Sequence, residues 1–169
     1  MPSSDKIILA IDLGTSGPKV ALVSTQGEII GSEFEETKLL LLPEGGAEQS
    51  PSEWWDAITK AVKRLLNRNL ISSDEINAIA ITGQWSGTVP VNEVGEALSN
   101  AIIWMDARGA PYVKRITSGP VRLEGFGIDK LWTWVRLTGG IPGPSGKDPI
   151  AHILFLKHEK PEIYAATHK

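Results

Sequence analysis

The stretch best equipped for chemistry is Asp12-Leu13-Gly14-Thr15-Ser16-Gly17-Pro18-Lys19. Its acidic residue ends an apolar run, where the charge must be solvated or paired, and a metal ion is a common solution. Gly14 and Gly17 permit positive φ and let a ligand approach the backbone closely. Thr15 and Ser16 add hydroxyls, and successive backbone N–H groups in such a turn can form an anion-binding nest. Lys19 supplies a positive charge just beyond. These are parts for holding a polyphosphate with its Mg²⁺. A strand rather than a helix follows, so the turn is not a Walker A loop. The same residues would also serve a plain hairpin, because glycine-rich turns join strands widely and Asp is a routine turn residue.

The elements that must position this turn read as an α/β domain with a mixed sheet. Residues 6–12 are nearly all apolar, as in a strand buried on both faces. Residues 18–24 and 29–36 are two more β-rich runs, separated by turns too short for a parallel crossover, so the first three strands form an antiparallel meander. Ser50, Pro51 and Glu53 have the N-cap, first-position and capping-box identities of a helix start. Trp54, Trp55, Ile58, Ala61, Val62, Leu65 and Leu66 then recur at helical spacing as a core-facing stripe. Strands are expected over 76–82, 88–92 and 101–106, with a turn at 93–96. Helices are expected over 110–117, 129–137 and 151–159, and Pro161 opens a last short turn or helix. Residues 139–149 hold four glycines and three prolines and read as a loop.

Composition excludes several classes. The 169 residues carry 17 Lys and Arg against 20 Asp and Glu, a formal charge of −3, which argues against a nucleic-acid binder. No apolar run approaches the roughly 18 residues that span a bilayer, and residues 1–6 lack a signal-peptide pattern. With no cysteine there is no disulfide, thiolate site or cysteine nucleophile, which fits a cytosolic protein. The three histidines, His152, His158 and His168, all fall in the last eighteen positions, a poor basis for a Ser-His-Asp machine.

A first strand ending in Asp-x-Gly-Thr-Ser and turning back into a second strand resembles the phosphate-1 loop of the actin-like ATPases, whose domains are ribonuclease-H-like. Three further segments, in order and spacing, resemble the FGGY carbohydrate kinases, particularly xylulokinase-like members. They are Gly45-Gly-Ala-Glu-Gln-Ser-Pro-Ser-Glu-Trp54, Ile81-Thr-Gly-Gln-Trp-Ser-Gly87 and Ala101-Ile-Ile-Trp-Met-Asp-Ala-Arg108. The Pro161-Glu-Ile-Tyr164 segment is similar to that family as well.

The resemblance implies ATP-dependent phosphorylation of a sugar or polyol hydroxyl, with ATP and Mg²⁺. It assigns Asp12 to the metal, through water, and Gly14, Thr15, Ser16 and Lys19 to the ATP phosphates. It assigns Gln84, Trp85 and Ser86 to a sugar-contacting segment where xylulokinases typically carry Gly-Gln-Met-His-Gly. Trp85 offers a flat face that can stack on sugar C–H groups, and Ser86 a small hydrogen-bonding group. Loss of the His leaves the acceptor open, and a plug for the core is the alternative role for Trp85. Trp104 falls at the substrate pocket. Asp106 and Arg108 either reach the polyol or form a structural ion pair. Read as alternating along a strand end, these three side chains would share one side. The 139–149 loop falls near the pocket mouth.

No catalytic residue is assigned, since the family's general-base Asp falls beyond Lys169, and Asp129 and Asp148 read as ordinary helix-start residues. Residues 1–169 are thus expected to be an N-terminal FGGY kinase domain, itself incomplete and lacking a C-terminal partner domain. The expected setting is cytoplasmic, without nucleic acid or membrane, and a homodimer when full length is the assembly considered. A stand-alone, non-catalytic sugar-binding module is the alternative, and a two-metal nuclease on the same topology a weaker one.

Overall fold

A computed structural model describes residues 5–169. In chain order the strands are β1 (Ile7–Gly14), β2 (Gly17–Ser24), β3 (Ile29–Phe34), β4 (Leu40–Leu42), β5 (Gly46–Gln49), β6 (Ile76–Gly83), β7 (Ala101–Ile102), β8 (Arg122–Leu123) and β9 (Phe126–Gly127). The helices are α1 (Pro51–Leu66), α2 (Ala110–Thr117), α3 (Ile128–Thr138), α4 (Pro149–Glu159) and α5 (Pro161–Ala166). The chain divides into two compact units: residues up to 39 with 49–84, and residues 40–48 with 85–169.

The first unit is a four-stranded sheet in the order β3-β2-β1-β6. The meander β1-β2-β3 is antiparallel, and β6 runs parallel to β1, so the sheet is mixed as the sequence predicts. Because β1 alternates, Leu9 and Ile11 face one side, and register places Val20 and Leu22 of β2 beside them. That side packs on Ala61 and Leu65 of α1, with Val20 and Leu65 fully buried. Fully burying a Val or Leu side chain contributes roughly 1.5–3 kcal/mol. The small Ala57 and Ala61 on the same helix stripe are buried too. Ser50 caps α1 by accepting from the Glu53 N–H at 3.4 Å. The Glu53 carboxylate accepts from the backbone N–H of Lys38 at 3.1 Å. A reciprocal capping box forms instead at Ser72 and Glu75. Trp55, expected on the core stripe, is 70% exposed.

The opposite sheet face carries Ala10, Ala21 and Ala80, and beside them Asp12, Lys19 and Thr82, in a groove of about 700 Å³. The edge strand β6 is exposed along most of its length, Ile79 and Ile81 included.

The second unit contains the small sheet β4-β5-β7, the β8-β9 hairpin and α2 to α5. Its core gathers Ile102, Phe155 and Leu156, with Tyr112 and Ile163 against them. Gly109 is required where α4 passes, since a Cβ there would lie 2.4 Å from the Ala151 carbonyl oxygen. Two strand expectations are corrected. The run 101–106 is a strand only over Ala101–Ile102, and the chain turns at Trp104 and Met105. The run 88–92 reduces to single bridges at Thr88 and Val91. Strands this short lean on neighbours for their hydrogen bonds, which local periodicity does not record. No helix among the described residues is long and apolar enough to cross a membrane.

Candidate functional site

The β1–β2 turn is a two-residue loop, Thr15-Ser16, closed by the Gly14–Gly17 pair. Only Gly17 of the two glycines has a positive φ, +137°. A Cβ at Gly17 would also fall 1.9 Å from the Glu35 carbonyl oxygen, so conformation and space both demand glycine. The segment after β3 braces the turn: Glu35 N–H donates to the Pro18 carbonyl at 3.2 Å, and Thr37 N–H to the Ser16 carbonyl at 3.1 Å. Arg64 of α1 clamps that segment, donating to the Phe34 carbonyl at 2.6 Å and to the Glu35 carboxylate. This Arg64 hydrogen bond holds the Glu35 carboxyl below the usual carboxylate range.

A buried amide completes the brace. Gln49, fully buried, donates to the Thr15 carbonyl at 2.9 Å and accepts from the Gln84 amide at 2.7 Å. Thr15 Oγ1 in turn lies 3.4 Å from Gln84 Oε1. Gln84, expected on the sugar, thus has its amide engaged with Gln49 and the β1–β2 turn. Gln49 was assigned no role from sequence. The available signal was a lone amide between two residues, Glu48 and Ser50, inside one of the resembling segments.

Asp12 sits one step before the turn, with Lys19 beside it on β2 and Thr82 beside it on β6. All three line the groove. The Asp12 carboxylate and the Lys19 ammonium make no hydrogen bond or ion pair among the described residues. Thr82, like Gln49, is a site neighbour that only the strand register reveals. The donor set suits Mg²⁺ better than a metal that needs a protein cage. No cluster of three or more His, Cys, Asp or Glu forms a metal site among the described residues. Mg²⁺ keeps several waters and takes one or two carboxylates with substrate phosphates.

In the second unit, Trp85 is 82% exposed, which removes the core-plug reading. Ser86 adopts φ +53°, uncommon for a residue other than glycine and concentrated at functional turns. Trp104 is half-exposed, with the Lys147 ammonium 6.0 Å from its ring centroid. Asp106 points elsewhere, because the chain turns between them, so the shared side expected of Trp104, Asp106 and Arg108 does not form.

Asp106 is 1% exposed. Its carboxylate accepts from the Ala47 N–H at 2.9 Å, the Arg108 N–H at 2.9 Å and the Arg108 guanidinium at 2.6 Å. Arg108 also donates to Glu48 at 2.7 Å and lies 4.3 Å over the Phe155 ring. Burial works against its charge, but the hydrogen bonds to Asp106 and Glu48 outweigh that and raise its pKa. Asp129 is an exposed residue in the first turn of α3, and Asp148 precedes α4 with its carboxylate accepting from the Gly143 N–H at 2.6 Å rather than from the helix.

A carboxylate-led, glycine-closed strand turn on a mixed sheet, backed by one helix, is the architecture of the actin-like ATPase fold. The chain belongs to the FGGY family of carbohydrate kinases, whose N-terminal domain model it matches over residues 7–129. The xylulose kinase of Staphylococcus epidermidis is 35% identical over 139 residues, covering 78% of this chain and 28% of that protein. The glycerol kinase of Mycoplasma mycoides is 36% identical over 113 residues, covering 66% and 22%. The crystal structure of a gluconate kinase from Lactobacillus acidophilus superposes with a TM-score of 0.80 at 24% identity, covering 98% of this chain and 31% of that one. The chain therefore spans less than a third of the length of each of these proteins.

Proposed function

We propose that this chain is the phosphate- and acceptor-binding part of an ATP-dependent kinase that phosphorylates a hydroxyl of a sugar or polyol. The observation that carries the reading is the unengaged Asp12 carboxylate at the end of β1, beside Lys19 and the braced Gly14–Gly17 turn. In this reading the turn's N–H groups and hydroxyls and Lys19 hold the phosphates of ATP, and Asp12 holds water around Mg²⁺. Bound Mg²⁺ would neutralise charge on the transferring phosphoryl group.

The acceptor oxygen forms the new P–O bond, the bond to the ADP oxygen breaks, and the hydroxyl proton passes to a base. No carboxylate described here is marked for that proton, so the base and the adenine site are assigned to the rest of a longer, cytoplasmic polypeptide. Trp85 would stack on the acceptor and Ser86 bond to it, with Trp104 a further contact. Asp106 and Arg108 are better explained as the support of the Trp104 segment, given their mutual hydrogen bonds. The relatives named above act on xylulose, glycerol and gluconate by name, so these three acceptors form the test panel.

Coupled ADP-release assays on the full-length protein test the proposal. Release that requires Mg²⁺ and one acceptor of the panel supports it. Acceptor binding without ADP release points to a non-catalytic sugar-binding module, and neither binding nor release overturns the reading.

A further inference from the structure

The buried face of α4 consists of Ala151, His152, Phe155 and Leu156. His152 is its one polar member, completely shielded from solvent. Its Nδ1 lies 3.0 Å from Thr88 Oγ1, and its Nε2 has no hydrogen-bond partner. An unmet polar atom of this kind costs roughly 1–3 kcal/mol, so packing alone would favour an apolar side chain here. A local rule broken at a buried position is expected where function or specificity is served.

The place of Thr88 gives the reason. Thr88 follows the Trp85-Ser86-Gly87 turn and is fixed from below by two backbone hydrogen bonds with Ile102, at 2.8 and 2.9 Å. Ile102 begins the short path to Trp104 and Asp106. Burial of the His152 ring disfavours its charged form, while the Asp106 charge and main chain and the Asp148 charge favour it. Burial, with a smaller push from the Arg108 charge, prevails and keeps the pKa below the ordinary histidine value. A neutral ring can receive the Thr88 hydroxyl at Nδ1.

We propose that His152 is a positioning residue that fixes the Trp85-Ser86 turn through Thr88 and joins it to the Trp104–Asp106 segment, so that α4 sets the geometry of the acceptor-binding surface. The proposal rests on the acceptor role argued above for Trp85 and Ser86. Its own content, the coupling of His152 to the turn, is separable from that role.

The test uses this 169-residue chain with three variants. His152→Leu keeps the volume without the bond, His152→Asn restores a polar atom near the Nδ1 position, and Thr88→Val removes the hydroxyl at constant shape. NMR should show the Trp85 indole and Ser86 amide resonances displaced in His152→Leu and Thr88→Val, no further displaced when the two are combined, and largely restored in His152→Asn. Unchanged Trp85 and Ser86 resonances in His152→Leu overturn the proposal, even if melting temperature falls, because a merely structural histidine would lower stability alone. Xylulose, glycerol and gluconate titrations of the full-length protein and the same variants form the second arm. Loss of about tenfold in affinity in the two apolar variants extends the effect to the acceptor. A full-length wild-type protein that binds none of the three, with the resonance pattern intact, refutes the acceptor role while the coupling stands.

Discussion

Replacing Asp106 separates the two roles open to that residue. Asp106→Ala removes an almost fully buried carboxylate that holds three kinds of partner: the Ala47 N–H, the Arg108 N–H and the Arg108 guanidinium. What remains is a guanidinium on a side chain only 10% exposed, still paired with Glu48. Breaking a buried pair by deleting one member costs about 3–5 kcal/mol, and an orphaned N–H adds roughly 1–3 kcal/mol. Glu48 retains part of the Arg108 interaction, so the expected loss is about 3–5 kcal/mol in total. For a chain of this length each kcal/mol lowers Tm by roughly 2–4 °C, so thermal unfolding followed by circular dichroism should show a fall of at least about 6 °C. Asp106→Asn keeps the shape and one acceptor oxygen and should lose less. A change below about 1 kcal/mol in Asp106→Ala, together with lost acceptor binding, would refute the anchoring role and return Asp106 to direct contact with the polyol.

Three further outcomes follow from the same geometry. Gly17→Ala should destabilise the first unit by about 2–4 kcal/mol in urea denaturation, combining left-handed backbone strain with a Cβ driven into the Glu35 carbonyl; a neutral effect would mean the turn is free to rearrange. Trp85→Ala should raise the acceptor KM in the full-length protein with little change in Tm, because the side chain is largely exposed, and an unchanged acceptor profile would count against stacking. The exposed β6 edge carries neither charge nor proline between residues 76 and 83, a pattern that favours strand-to-strand association; light scattering should find this chain self-associating and Ile81→Lys more monomeric, and a monomeric wild type would remove that expectation.

Much of the first unit was legible in the sequence because its signals are local. The Ser50-Pro51 start located α1 to the residue, and the apolar runs with short turns gave the meander and its antiparallel pairing. The β1–β2 turn could be read because an Asp, two glycines and two hydroxyls fall within six residues. What sequence missed depends on partners far along the chain. Gln49 acquires its role from Thr15 and Gln84, which lie 34 and 35 positions away. Nothing local marked His152, whose partner Thr88 is 64 positions distant. Alternation misled at Trp104, Asp106 and Arg108, where a turn replaces the strand and sends one side chain outward and another into an ion pair. Trp55 followed helical spacing, yet it lies outside the buried cluster that α1 makes with the sheet.

The central claim is that Asp12 and the adjoining turn hold the metal–phosphate end of ATP. Steady-state kinetics of Asp12→Asn in the full-length protein, with Mg²⁺ and acceptor varied separately, test it most directly. The account predicts a fall in kcat of about 100-fold or more, given that a preorganised charge contact to a transferring phosphoryl group carries several kcal/mol, with the acceptor KM nearly unchanged. Equal losses in kcat and acceptor affinity, or a kcat that does not change, would contradict it.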